Sequence, residues 1–157
     1  DTMNLWIDLY PDKVKEVLAI SQIFLINHEE AIQFTGINDI PGAAHILHAA
    51  GPEIVVIKMG AEGAYLSFNN TALYVPVFPI ETVVDPTGAG DSFAGGFMGY
   101  LARGGKPDFL EAVLVGSAVA SFGIENFGPE SLLNVTRKSL YGRIASIRGR
   151  MAAAESV

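Results

Sequence analysis

No cysteine occurs among the 157 residues. Its absence excludes thiolate zinc centres, iron–sulfur clusters, cysteine nucleophiles and a disulfide framework, and it fits a reducing cytoplasm. Histidine is scarce as well. His45 and His48 share a helical face at i and i+3, but no third ligand is spaced to join them, so they define no metal site. Positive charge is in deficit: 10 basic side chains face 17 acidic ones, for a net charge of -7. Without clustered Lys and Arg there is no electrostatic footprint for a nucleic-acid backbone, and no nucleic-acid partner is expected. Long apolar runs are missing too. The richest stretch, Ala112 to Ile124, falls short of the ~20 residues of a membrane helix and is interrupted by Gly116, Ser117 and Ser121. The chain therefore reads as soluble, with no membrane partner. It opens Asp1-Thr2-Met3-Asn4, with neither an initiator methionine nor a basic segment leading into an apolar run, so no signal peptide is visible and the start reads as trimmed.

What the chain does have is apolar substance, at 50% hydrophobic residues. At about 150 residues per domain the length predicts one domain, able to bury a core without disulfide or metal staples. Pro11 to Ile20 has the spacing of a short amphipathic helix with proline in its first turn. Gln22 to Ile26 is a compact branched run ending at Asn27, which predicts a buried strand. After a turn at Asn27-His28-Glu29-Glu30, helix is expected over Ala31 to Thr35 and again over Ile40 to Ala50, each stopped by glycine. Ile54 to Lys58 is a second buried strand, and strand, helix, strand is the order of a parallel crossover. Beyond the Gly60 to Gly63 turn, Ala64–Phe68 and Ala72–Phe78 flank Asn69-Asn70-Thr71 as a hairpin at the sheet edge. The rest is helical, over about Gly90 to Ala102, Pro107 to Ile124 and Thr136 to Met151, with a frayed tail from Ala152 to Val157. One compact α/β unit is the economical reading.

The segment Asp85-Pro86-Thr87-Gly88-Ala89-Gly90-Asp91-Ser92-Phe93 places a glycine-rich loop between a strand-like stretch and an apolar helix. In outline this is an anion site, because glycines allow close backbone approach while free amides and the helix dipole favour negative charge. Asp91 then has two readings. It either caps the helix or, as a carboxylate that a phosphate would repel, faces an incoming nucleophile and takes its proton. Two other glycine motifs fail. The dinucleotide fingerprint needs glycine or alanine where Phe93 stands, and the P-loop needs lysine where Gly105 stands. No Gly-x-Ser-x-Gly elbow supports a hydrolase.

The segment from Asp85 to Phe93 resembles the second signature of the PfkB, or ribokinase-like, carbohydrate kinase family. Asn27-His28-Glu29-Glu30 resembles that family's Asn-x-x-Glu motif, and Lys58-Met59-Gly60-Ala61-Glu62-Gly63 its nucleotide-side glycine turn, in the same order. The resemblance runs from about Asp1 to about Arg150 and covers only the C-terminal, nucleotide-binding half, without the N-terminal sugar-binding half and lid. It implies a three-layer α/β/α core with a mostly parallel sheet, an antiparallel hairpin at one edge and C-terminal helices.

The resemblance also implies an activity, transfer of the γ-phosphoryl group of ATP to a hydroxymethyl-type alcohol of a sugar or nucleoside. Asp91 corresponds to the catalytic base, and the amides of Gly88, Ala89 and Gly90 to the anion hole. Glu30, with Asn27, corresponds to the group that holds Mg2+ or its waters. Gly60 and Gly63 would pass beside the nucleotide phosphates, within reach of Lys58, whose alternative is a solvated strand end. Asp85 and Thr87 stand where many members hold a monovalent cation, but Ile124 to Pro129 does not match the loop that completes that site, which speaks against potassium activation. Gly116, Ser117 and Ala120 are small enough to line an adenine slot or to allow close helix packing. The rivals are a vitamin-precursor kinase of the same superfold, whose members usually vary the signature loop, and a nucleotide-binding or structural module without turnover. Strand edges left open by a missing half would favour self-association as a homo-oligomer.

Overall fold

The structure is a computed structural model that describes residues 1–155. In chain order it contains helices α1 (Asn4–Leu9) and α2 (Pro11–Ala19), strand β1 (Ile23–Asn27), helices α3 (His28–Thr35) and α4 (Ile40–Ala49), and strand β2 (Ile54–Lys58). A 3-10 turn at Gly60–Glu62 leads to β3 (Ala64–Phe68) and β4 (Thr71–Val75), and then to α5 (Ala89–Leu101), α6 (Phe109–Gly123), α7 (Glu130–Leu133) and α8 (Arg137–Glu155).

The four strands form one sheet in the order β1-β2-β3-β4. β1 and β2 are parallel, with Ile23 opposite Ile54 and Asn27 opposite Lys58, whereas β3 runs antiparallel to β2. The antiparallel direction follows from the short Gly60–Glu62 connection, since a parallel return needs a crossover of a dozen residues or more. Asn69 and Asn70 both have positive φ, 46° and 58°. A two-residue turn with both central residues left-handed is type I′, whose twist matches a hairpin, and asparagine tolerates that conformation better than most residues. β4 accordingly starts at Thr71 and ends at Val75, shorter than the expected run to Phe78, which is cut at Pro76.

Where one unit was expected, the chain divides into two compact ones: Asp1–Gly60 with Ala64–Tyr74, and Ala61–Gly63 with the residues from Val75 onward. No linker marks the division, because each unit has its own apolar interior and the composition does not change across it. In the first unit, Phe24 and Ile26 of β1 and Val55 and Ile57 of β2 pack with Leu18 of α2 and with Ala43, Ala44 and Leu47 of α4. In the second, α5 lies close on α6: a Cβ on Gly96 would come within 3.0 Å of the Gly116 Cα, and one on Gly116 within 2.8 Å of the Phe93 carbonyl oxygen. That approach completes the burial of Phe97, which has no exposed surface; hiding a phenylalanine side chain contributes about 2 kcal/mol.

Several boundaries differ from the sequence expectations. α1 was not anticipated, since Ile7 is its only buried residue and gives no periodic signal. The segment before Asp85 is not a strand, because residues 76–84 carry neither helix nor strand. Ala152 to Glu155 continue α8 instead of fraying, while Ser156 and Val157 lie outside the described residues.

Candidate functional site

The carboxyl ends of parallel strands are where α/β proteins place ligands, since helix N-termini begin there. In the first unit β1 ends at Asn27 and β2 at Lys58, side by side. α3 starts at once at His28, three residues before the predicted helix. The cause is a capping box: the Asn27 side-chain oxygen accepts the Glu30 N–H at 2.8 Å, and Glu30 Oε2 accepts the Asn27 N–H at 3.1 Å. Each satisfies an orphan backbone donor of the other. Glu30 is thereby buried, 4% exposed, with one carboxylate oxygen engaged and Oε1 lacking a protein partner among the described residues. Among the described residues no group of three or more His, Cys, Asp or Glu side chains could enclose a metal ion. A single carboxylate with a spare oxygen still fits magnesium, which keeps most of its waters and takes further oxygens from phosphates.

Lys58 is not a solvated strand end. Its Nζ donates to both carboxylate oxygens of Asp1, at 3.1 and 2.9 Å, and the side chain is 15% exposed. No local signal could have found this pair, because its members are 57 positions apart. Gly60 follows with φ 57°, and a Cβ there would meet nothing within 4 Å.

In the second unit, Gly63 needs glycine for packing: at φ 103° a Cβ would lie 2.1 Å from the Val75 carbonyl oxygen. The signature loop starts where the Val84 and Asp85 amides both donate to the Ile124 carbonyl, at 2.8 and 3.3 Å. Asp85 Oδ1 then accepts the Thr87 amide at 2.9 Å. The Ala89 amide closes a turn onto the Pro86 carbonyl at 3.1 Å, with Gly88 at φ 76°, ψ 6° in its third position. That is the place in a type II turn that calls for glycine. Of the three amides expected to receive an anion, Ala89's is therefore engaged within the turn. Gly90 lies in the first turn of α5, ahead of the first helical bond, Ser92 N–H to Gly88 C=O, and its amide has no partner from within the helix.

Asp91 is exposed in this first turn and does not cap the helix; the N-cap is Gly88, which has no side chain to do so. Its carboxylate gains from the helix dipole. Asp85 is held below the ordinary carboxyl range by hydrogen bonds from Thr87, the side chain first and the backbone second. Gly116 is buried against Phe93, and close helix approach accounts for the glycine there. His48 is tied by its two ring nitrogens to the Pro52 carbonyl and the Ser67 hydroxyl, 2.8 and 2.9 Å away. Among the described residues no helix is long and apolar enough to cross a membrane.

Residues 2–136 match the model of the pfkB family carbohydrate kinases. The chain is 41% identical over 95 residues to a cytidine kinase of Thermococcus kodakarensis, a match covering 59% of this chain and 34% of that one. It is 30% identical over 130 residues to a ribokinase of Haemophilus influenzae, covering 80% and 42%. Among solved structures it resembles the aminoimidazole riboside kinase of Salmonella enterica in complex with aminoimidazole riboside and an ATP analogue. The TM-score there is 0.76 and the identity 27%, over 88% of this chain and 47% of that one. The chain thus spans less than half the length of these relatives.

Proposed function

Because this chain belongs to the pfkB family of carbohydrate kinases and has the α/β fold of ribokinase-like kinases, we propose that it is the nucleotide-binding half of a cytoplasmic kinase that uses ATP to phosphorylate a sugar or nucleoside hydroxymethyl group. The observation that carries the proposal is Asp91: an exposed carboxylate one turn behind a left-handed glycine, with no capping bond to account for it.

In this reading Asp91 takes the proton of the acceptor hydroxyl as the acceptor oxygen bonds to the γ-phosphorus. The bond from that phosphorus to the β–γ bridging oxygen breaks, and ADP leaves with the electron pair. The amides of Gly88 and Gly90 receive the charge that builds on the transferring group, with Ala89 joining them once its turn bond is released. Thr87 fixes the loop through Asp85. Asn27 orients Glu30, whose Oε1 would hold magnesium or one of its waters. When bound, magnesium neutralises charge on the phosphates. Lys58, at the end of β2, reaches the nucleotide phosphates by exchanging Asp1 for them, and Gly60 lets the backbone approach the nucleotide. Gly63 and Gly116 act through packing, holding β4 and α6 in place. Asp85 and Thr87 stay the candidates for a monovalent cation, and the stretch from Ile124 to Pro129, which lacks the loop that would complete the site, argues against potassium activation.

The coverage of the relatives, 34% to 47% of their length, favours a second statement: the 157-residue chain binds magnesium-ATP weakly and turns over no acceptor. ATP titration calorimetry and a kinase assay over a panel of sugars and nucleosides test both parts, with light scattering for self-association. Binding without turnover is the expected result. Absence of any ATP binding, or robust phosphorylation by a monodisperse monomer, would overturn it.

A further inference from the structure

The signature loop is entered from residues 76–84, a stretch without helix or strand. Its end is fastened where Val84 and Asp85 donate to the Ile124 carbonyl, the C-cap of α6. The loop can therefore be no better placed than the last turn of α6. That turn is gripped by one side chain of α8. Arg143 donates to the Ser121 hydroxyl at 2.7 Å and to the Glu125 carboxylate at 2.5 Å. Its guanidinium lies 3.5 Å from the centroid of the Phe122 ring and 4.4 Å from that of Phe78. The buried Ser121 hydroxyl in turn donates to the Ala118 carbonyl at 2.6 Å, so its donor and an acceptor site are both used. The contacts at Ser121, Phe122 and Glu125 bracket Ile124 on both sides, and Phe78 belongs to the stretch that enters the loop. Gly123, also inside the bracket, faces Ser92, the neighbour of Asp91: a Cβ there would be 3.4 Å from the Ser92 hydroxyl oxygen.

We propose that Arg143 is a positioning residue: by clamping residues 121–125 and Phe78 together it fixes the Ile124 carbonyl, and through it the start of the loop that carries Gly88, Gly90 and Asp91. The catalytic meaning of this rests on the kinase reading above, whereas the mechanical part does not. Only arginine meets the requirement. Its planar fork donates in two directions while its face lies on aromatic rings, and lysine offers a point charge with neither property.

The test is amide hydrogen exchange on the full chain carrying Arg143→Met, Arg143→Lys or Glu125→Gln, with ATP titration beside it. The Val84 and Asp85 amides should exchange about tenfold faster in Arg143→Met, the scale of losing one charge-assisted hydrogen bond, while amides of β2 and of the middle of α6 keep their protection. Arg143→Lys should fail to restore the protection, and Glu125→Gln, which keeps an acceptor oxygen, should lose less than Arg143→Met. On the kinase reading, ATP affinity falls about tenfold in step with the exchange. If Arg143→Met does not fold, the lysine variant carries the same comparison. Unchanged exchange at Val84 and Asp85, or a rise shared equally by β2 and α6, overturns the inference and leaves the kinase reading intact. Faster exchange in a chain whose wild type binds no ATP upholds the clamp and overturns the kinase reading.

Discussion

Asn27 and Lys58 are register partners at the last positions of two parallel strands, and each is held by a carboxylate, Asn27 by Glu30 and Lys58 by Asp1. The same end of the sheet thus carries a helix N-terminus, a buried glutamate and a paired lysine, and the strand register sets the first beside the last.

Glu30 has two roles that a single substitution separates. Glu30→Gln keeps an oxygen for the Asn27 amide, so the capping box survives and the melting temperature should move little. Its charge is gone, and the magnesium dependence of ATP binding should weaken about tenfold if a direct charge-assisted contact is lost. Asn27→Ala removes the cap instead and should cost about 1 kcal/mol of stability. Melting curves and magnesium titrations at fixed ATP check the pair. Equal magnesium requirements in wild type and Glu30→Gln would leave Glu30 with the cap alone.

Gly60 and Gly63 look alike in sequence, three residues apart in one turn, yet their surroundings differ. Alanine at position 60 meets only the left-handed φ, a cost of about 1 kcal/mol. At position 63 it also drives a Cβ into the Val75 carbonyl, and the cost should exceed about 3 kcal/mol through displaced backbone. Chemical denaturation of the two variants should therefore give clearly separated midpoints, with Gly63→Ala the lower.

Asp85 predicts a pH response in the signature loop. Its carboxyl is depressed by bonds from Thr87 that only the ionised form accepts well. A depressed carboxyl holds its bonds at pH values above the ordinary ~3.9 and loses them as pH falls through the lower folded value. The Thr87 amide resonance should shift with a midpoint below ~3.9, and the Asp85→Asn substitution should abolish that titration. A midpoint at or above the ordinary value would show that the bond does not favour the ionised group.

Much of the fold was legible because local chemistry and burial agreed. Ile54 to Lys58 is apolar, branched and bounded by turn residues, and the strand has those limits. Asn27 and Glu30 were visible as a motif, but their spacing is also that of a capping box, so the helix starts earlier than its apolar residues indicate. The remainder depends on contacts distant in sequence. Nothing near Lys58 points to Asp1, and Arg143 stands 22 and 18 positions from its hydrogen-bond partners Ser121 and Glu125. The division into two units was equally hidden, since it crosses the end of β4 without a change in composition.

Asp91 offers the sharpest test of the kinase reading. In the first turn of α5 its charge favours the helix dipole by about 0.3–1 kcal/mol, so Asp91→Asn should fold normally and melt within a few degrees of wild type. Asparagine has nearly the same shape and can stay beside a phosphate, so nucleotide affinity should hold or rise as repulsion is relieved. What it cannot do is accept a proton. In the kinase-length protein, turnover should fall by at least the ~10²-fold that general-base catalysis supplies. Steady-state kinetics with the preferred acceptor, together with ATP titration, separate the outcomes. A fall in turnover at unchanged nucleotide affinity assigns the proton to Asp91. Turnover within threefold of wild type would leave the carboxylate as a helix-end charge and return the choice of base to another residue.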